Sequence, residues 1–185
     1  MKKKIAKLKD TITIPENLDI KILENKITLS KGDVEISRKF NPLILVKKQD
    51  NEIILETQKD RKIEKKNFGT LKAHIKNIIA GFEKEFEYKL KIAFVHFPMN
   101  VSVNSEKDEI IIKNFLGEKT DRKLKIPKGV KVEINQENIL VQSIDIEKAG
   151  QFAANLEKRT KVKNKDRRVF QDGIFIVETP KKRFL

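Results

Sequence analysis

Pro42-Leu-Ile-Leu-Val-Lys-Lys-Gln-Asp-Asn-Glu-Ile-Ile-Leu55 and, 85 residues further on, Pro127-Lys-Gly-Val-Lys-Val-Glu-Ile-Asn-Gln-Glu-Asn-Ile-Leu-Val141 share one layout. Each sets a proline ahead of a short apolar-rich strand, breaks at a polar turn and resumes in a second strand. Hairpin-like stretches precede both, Ile20 to Phe40 and Val101 to Leu124, and a segment of helical period follows each. The repetition points to two tandem related lobes, although ordinary hairpins can match this well by chance.

The helical segments complete each lobe. In the first, Phe68, Leu71, Ile75, Ile78, Phe82 and Phe86 recur at three- and four-residue steps, with Asn67 placed to cap the start. In the second, Ala149, Phe152, Ala153 and Leu156 form a shorter stripe; Asp145 is the expected N-cap, and Lys158 and Arg159 suit the negative C-terminal end. Alternation predicts strands in Leu18 to Leu23, Val34 to Ile36, Ile92 to Val95, Val101 to Val103, Leu124 to Ile126 and Val130 to Ile134. The expected fold is α+β: two tandem similar lobes, 1–87 and 88–185, each a small antiparallel β-sheet packed against one α-helix. The other sheet face, polar in alternation, is left for solvent or a partner.

The excess charge is local. The chain carries a net charge of +14, and three windows hold all of it: Lys2 to Lys9, Lys158 to Arg168 and Lys181 to Arg183. These 22 residues have 15 basic and 1 acidic side chain, so the other 163 are neutral, with 26 of each sign. Cations concentrated at fixed places are what a polyanion selects.

Other functions find little support. No Cys is present and only two histidines, His74 and His96, which argues against disulfides and zinc. The seven glycines are never closer than 12 residues apart, so a phosphate-cradling glycine loop is excluded. Neither histidine has a neighbouring nucleophile motif, and both read as structural residues. No apolar run reaches the ~20 residues of a membrane span, and Lys7, Lys9 and Asp10 interrupt any signal-like start. The expectation is therefore a non-enzyme with no cofactor, no metal, no small-molecule substrate and no membrane association.

The middle window, Lys158-Arg-Thr-Lys-Val-Lys-Asn-Lys-Asp-Arg-Arg168, runs straight into Val169-Phe-Gln-Asp-Gly-Ile-Phe-Ile-Val177. Phe170, Ile174, Ile176 and Val177 can anchor on the lobe, bracing the cations between a helix end and a strand, which lowers the ordering cost of binding. Lysines and arginines supply phosphate contacts, and Asn164 and Gln171 can donate to ribose, phosphate or base edges. Asp166 is expected to orient an arginine, and Asp172-Gly173 to turn the chain into the closing strand.

The block Thr160 to Val177, with Asn114-Phe-Leu-Gly-Glu-Lys119 upstream, closely resembles the archaeal and eukaryotic branch of ribosomal protein L six, called L nine in eukaryotes. Ile14-Pro-Glu16, Ile27-Thr-Leu-Ser-Lys-Gly32 and Arg38-Lys-Phe40 resemble that family's opening strands, and Gln151-Phe-Ala-Ala-Asn155 its second helix. Departures are Asp33-Val-Glu35 after Gly32 and the ending Pro180 to Leu185. The resemblance implies two tandem lobes and a structural constituent of the large ribosomal subunit, cytoplasmic within the ribosome. It would bind large-subunit rRNA mainly through the C-terminal lobe, near the sarcin-ricin loop, the factor-binding site and the stalk base, beside neighbouring large-subunit ribosomal proteins. Candidate rRNA contacts are Lys158, Arg159, Lys161, Lys163, Asn164, Lys165, Arg167 and Arg168, then Lys113, Asn114 and Lys119, with Lys2, Lys3 and Lys4 as a basic arm. A free-standing RNA- or DNA-binding protein shows the same charge pattern and is the alternative. Heavy Lys, Ile and Asn usage suggests an AT-rich genome, and Lys128 to Val132 with the short tail leans archaeal, with a reduced eukaryote as the alternative source.

Overall fold

A computed structural model describes residues 8–57, 59 and 61–184. The chain divides into two compact units, the first ending at Glu83 and the second starting at Lys84.

The first unit contains β1 (Lys9–Thr13), β2 (Asp19–Leu23), β3 (Lys26–Lys31), β4 (Val34–Lys39), β5 (Ile44–Gln49), β6 (Glu52–Thr57) and α1 (Lys62–Glu83). Its strands form two antiparallel sheets, β1-β6-β5 and β2-β3-β4, where the sequence suggested one. Ile27, Leu29, Ile53, Leu55 and Ile75 are fully buried in the core. The apolar stripe of α1 is buried as expected, but its start is not at Asn67, which lies inside the helix. The first turn is made of Lys62, Ile63, Glu64 and Lys65, with good helix formers outnumbering the one β-branched residue. The buried position there is Glu64, four residues before Phe68, so the stripe continues through a residue that hydrophobicity does not count. Lys72 on α1 donates to Asp10 on β1, and that hydrogen bond holds the Asp10 carboxyl below its ordinary range.

The second unit repeats the order with β7 (Phe86–Ala93), β8 (Asn100–Asn104), β9 (Glu109–Lys113), β10 (Arg122–Lys125), β11 (Lys131–Asn135), β12 (Asn138–Ser143) and α2 (Ile146–Arg159). As in the first unit, the fifth and sixth strands form a hairpin with a two-residue loop, and the first strand pairs with the sixth. Strands two to four again form a separate meander, β10-β9-β8. The unit then adds β13 (Gly173–Thr179), which pairs with the free edge of β7, and a short β14 (Lys182–Arg183), giving a five-stranded sheet β11-β12-β7-β13-β14. Phe86, expected at the end of the first helix, begins β7 and pairs with Ser143, and Glu87 pairs with Gln142. The boundary therefore falls ahead of the 87/88 division expected from the sequence. Val95, expected in this strand, lies beyond its end at Ala93.

Asp145 caps α2 as expected, its carboxylate accepting from the Glu147 N–H at 3.0 Å. Ala149, Phe152, Ala153 and Leu156 pack with Leu90, Ile112, Ile139, Val141 and Ile174 in one core. Gly150 makes room for this fit: a Cβ there would lie 2.8 Å from the Tyr88 hydroxyl, so the Tyr88 ring end would have to shift.

Candidate nucleic-acid interface

The basic segment links α2 to β13, and three short-range devices fix it at both ends and in the middle. Thr160, 1% exposed, ends the helix. Its hydroxyl donates to the Glu157 carbonyl at 3.2 Å and accepts the Ile174 N–H at 2.9 Å, so one side chain joins the helix end to the closing strand. Val162 is buried in the core between exposed Lys161 and Lys163, an alternation that turns the two lysines outward. Gly173 completes the clamp: a Cβ would come within 3.2 Å of the Thr160 carbonyl.

Asp172 does more than turn the chain. It is buried and accepts from the Val95 N–H (2.9 Å), the His96 N–H (3.0 Å) and the His96 ring Nδ1 (2.7 Å). Burial alone would raise its pKa; the hydrogen bonds from His96 and Val95 overcome that and hold the carboxyl at about 2. The His96 ring then stacks on Phe170 at 4.4 Å between centroids, and the Lys165 ammonium sits 4.3 Å from the same ring's centre. His96, a structural residue in the sequence reading, thus shapes the segment itself.

Asp166 differs from expectation. Its carboxylate accepts the Arg168 backbone N–H at 2.9 Å, and its carbonyl accepts those of Val169 and Phe170, closing a tight turn; among the described residues it pairs with no arginine head group. Asn164 adopts a left-handed backbone (φ 57°), a conformation asparagine tolerates well, so it serves as a turn residue as well as a polar neighbour.

Lys158, Lys161, Lys163, Arg167 and Arg168 are exposed, and among the described residues none of their side chains has an acidic partner. Arg159 stands apart. Its guanidinium donates twice to the Lys123 carbonyl at 3.3 Å, bracing α2 against β10. The Asn114 motif is brought to the segment: Phe115, Leu116 and Glu118 share a cleft with Lys158, Lys161 and Lys163. Asn114 itself holds the Pro98 carbonyl at 3.0 Å, Lys113 lies 3.9 Å from Asp121, and Lys119 is exposed. Lys2, Lys3 and Lys4 fall outside the described residues. Lys182 and Arg183 pair with β13, which gives the unmapped tail a place in the sheet.

Sequence reasoning missed Arg122. It stacks 4.1 Å above Phe115, grips Glu118 through two hydrogen bonds, and donates to the Arg159 carbonyl at the end of α2. The Arg122 contact keeps the Glu118 carboxyl below its ordinary range. Only the i,i+4 spacing of Glu118 and Arg122 signalled this in advance. Phe94, Val95, Phe97 and Val169 also escaped notice as exposed apolar residues around the same segment.

The family model for ribosomal protein L6 matches the chain twice, at residues 11–85 and 97–173, once in each unit. The chain belongs to the ribosomal protein L6 family. Curated relatives agree over nearly their full length, each named large ribosomal subunit protein uL6. That of Methanobrevibacter smithii is 43% identical over 93% of this chain and 96% of its own. The Staphylothermus marinus protein is 44% identical over 95% and 96%, and the Aeropyrum pernix protein 41% identical over 91% and 93%. These archaeal relatives accord with the branch suggested by the sequence. The L6 family is structural and not enzymatic. Its second match takes in the whole basic segment and ends at Gly173, where β13 begins. No described helix is long and apolar enough to cross a membrane, and among the described residues no cluster of three metal-ligating side chains exists.

Proposed function

We infer that this protein is a structural constituent of the large ribosomal subunit, cytoplasmic in the ribosome, and that it grips large-subunit rRNA with the braced segment of its second unit. The observation that carries the reading is the set of cations without acidic partners among the described residues, Lys158, Lys161, Lys163, Arg167 and Arg168, on a backbone locked by Thr160, Val162 and Asp172. A backbone already fixed in place loses less freedom on binding, so more of the phosphate attraction appears as affinity. Lys165 joins them from its seat on Phe170, and Arg159 acts by positioning the helix end. Lys113, Asn114 and Lys119 form a second tier, and Lys2, Lys3 and Lys4 a basic arm. The placement near the sarcin-ricin loop, the factor-binding site and the stalk base, against neighbouring ribosomal proteins, rests on the family resemblance.

Co-sedimentation tests the reading. The protein should travel with large subunits at low salt and be released only by a high-salt wash. Recovery in the free fraction at low salt would instead indicate a free-standing nucleic-acid binder.

A further inference from the structure

Beneath the basic segment lies a cleft of about 880 Å³, within the ~300–1,000 Å³ range of clefts that hold small ligands. Ala93, Ala154, Val162 and Phe175 supply apolar lining, and Lys161 and Arg167 stand at it as cations without acidic partners among the described residues. Lining and cations ask for different halves of one ligand: a flat apolar ring and an anion attached to it. A nucleotide turned out of its stack has both. An apolar side chain from a neighbouring protein would fill the cleft but leave the cations unmatched.

The polar atoms fit a base edge. Gln171 places one Nε2 hydrogen on the Arg168 carbonyl at 3.1 Å, which leaves its second hydrogen and its Oε1. Glu157 receives the Ile176 N–H on Oε1 at 3.4 Å, leaving Oε2. Thr160 and Asp172 are already engaged within the protein. The polar side chains left over therefore offer both donors and acceptors. The edge of a nucleobase carries both as well, whereas an apolar side chain carries neither.

Resting on the rRNA-binding reading, we propose that this cleft receives one unstacked nucleobase, with its phosphate at Lys161 and Arg167. The segment then meets more than backbone charge: the cations hold the strand and the cleft seats a base.

The test uses the full-length protein and a large-subunit rRNA fragment protected by it in footprinting. Ala154→Phe fills the cleft from an exposed helix position without changing charge, and Gln151→Phe, at an exposed position of the same helix outside the cleft, is the control. Ala154→Phe should weaken binding about tenfold while leaving the salt dependence unchanged, since stacking and not counterion release is lost. Gln151→Phe should bind as the parent does. Removing the base at one protected position should cost the parent protein a similar factor and add nothing to Ala154→Phe. The proposal is overturned if Ala154→Phe binds RNA like the parent, including the case where it only blocks a neighbouring protein from joining the subunit. It is also overturned if no abasic position couples to the variant. In both cases salt-dependent binding by the parent leaves the rRNA reading standing, whereas a parent that binds no RNA removes both.

Discussion

The two units run through the same six strands and one helix, yet they end differently. After α1 only Lys84 and Glu85 intervene before the next strand; after α2 the chain makes the 160–172 segment and returns as β13. Their ion pairing differs as well. In the first unit Lys9 and Lys47 face Glu56, and Lys72 holds Asp10, whereas the cations between α2 and β13 have no acidic partners among the described residues. One fold thus appears twice, and what separates the copies is the closing segment, with its concentrated cations, grafted onto the second.

Removing charge from the two units should break this comparison most sharply. Changing Lys161, Lys163 and Arg167 together to Gln should weaken binding to the rRNA fragment roughly a hundredfold or more, as three counterion-releasing contacts disappear. Changing the exposed Lys48, Lys62 and Lys66 of the first unit should alter it little. Equal losses, measured by filter binding, would mean that the charge acts diffusely.

The clamps of the second unit give the next largest effects. Asp172→Asn should destabilise that unit by about 2 kcal/mol, because its carboxyl is held at about 2 against an ordinary 3.8. As the folded-state value is the lower one, this stabilisation is present above about pH 3.8 and is lost as pH falls toward 2. Acid melting curves should show that loss in the parent and a weakened one in the variant; identical curves would contradict the assignment. Thr160→Val leaves the buried Ile174 N–H unpaired and should cost roughly 1–3 kcal/mol in urea unfolding.

The smallest effect compares the two hairpins directly. Asp50 and Gln136 occupy the first loop position in β5-β6 and β11-β12, with φ of 48° and 54°. Glycine is unstrained there, so Gln136→Gly should stabilise by up to about 1 kcal/mol. Asp50→Gly should gain less, because aspartate already tolerates this conformation.

What could be read from the chain was what depends on near neighbours. The stripe from Phe68 to Phe82, the Asp145 cap and the bracing of Lys158 to Arg168 follow from spacing and local composition. The split of each unit into two sheets was not visible, because pairing β1 with β6 or β7 with β12 joins residues far apart in sequence. The true start of α1 was hidden by a buried Glu64, and Phe86 fitted the helical period while belonging to a strand. Within the site, residue type disclosed the cations but not their partners. Arg159 reads as one more phosphate contact until the Lys123 carbonyl is seen beside it. Asp166 and Asp172 likewise read as turn or charge residues, and their actual bonds run to backbone N–H groups and a ring.

The salt dependence of rRNA-fragment binding tests the central claim most directly. With about five cations engaged, the log-log slope should be roughly −4 for the parent and about −2 after Lys161, Lys163 and Arg167 are changed to Gln. A parent slope near zero, or one unchanged by the triple substitution, would contradict the assignment of this segment as the RNA-gripping element.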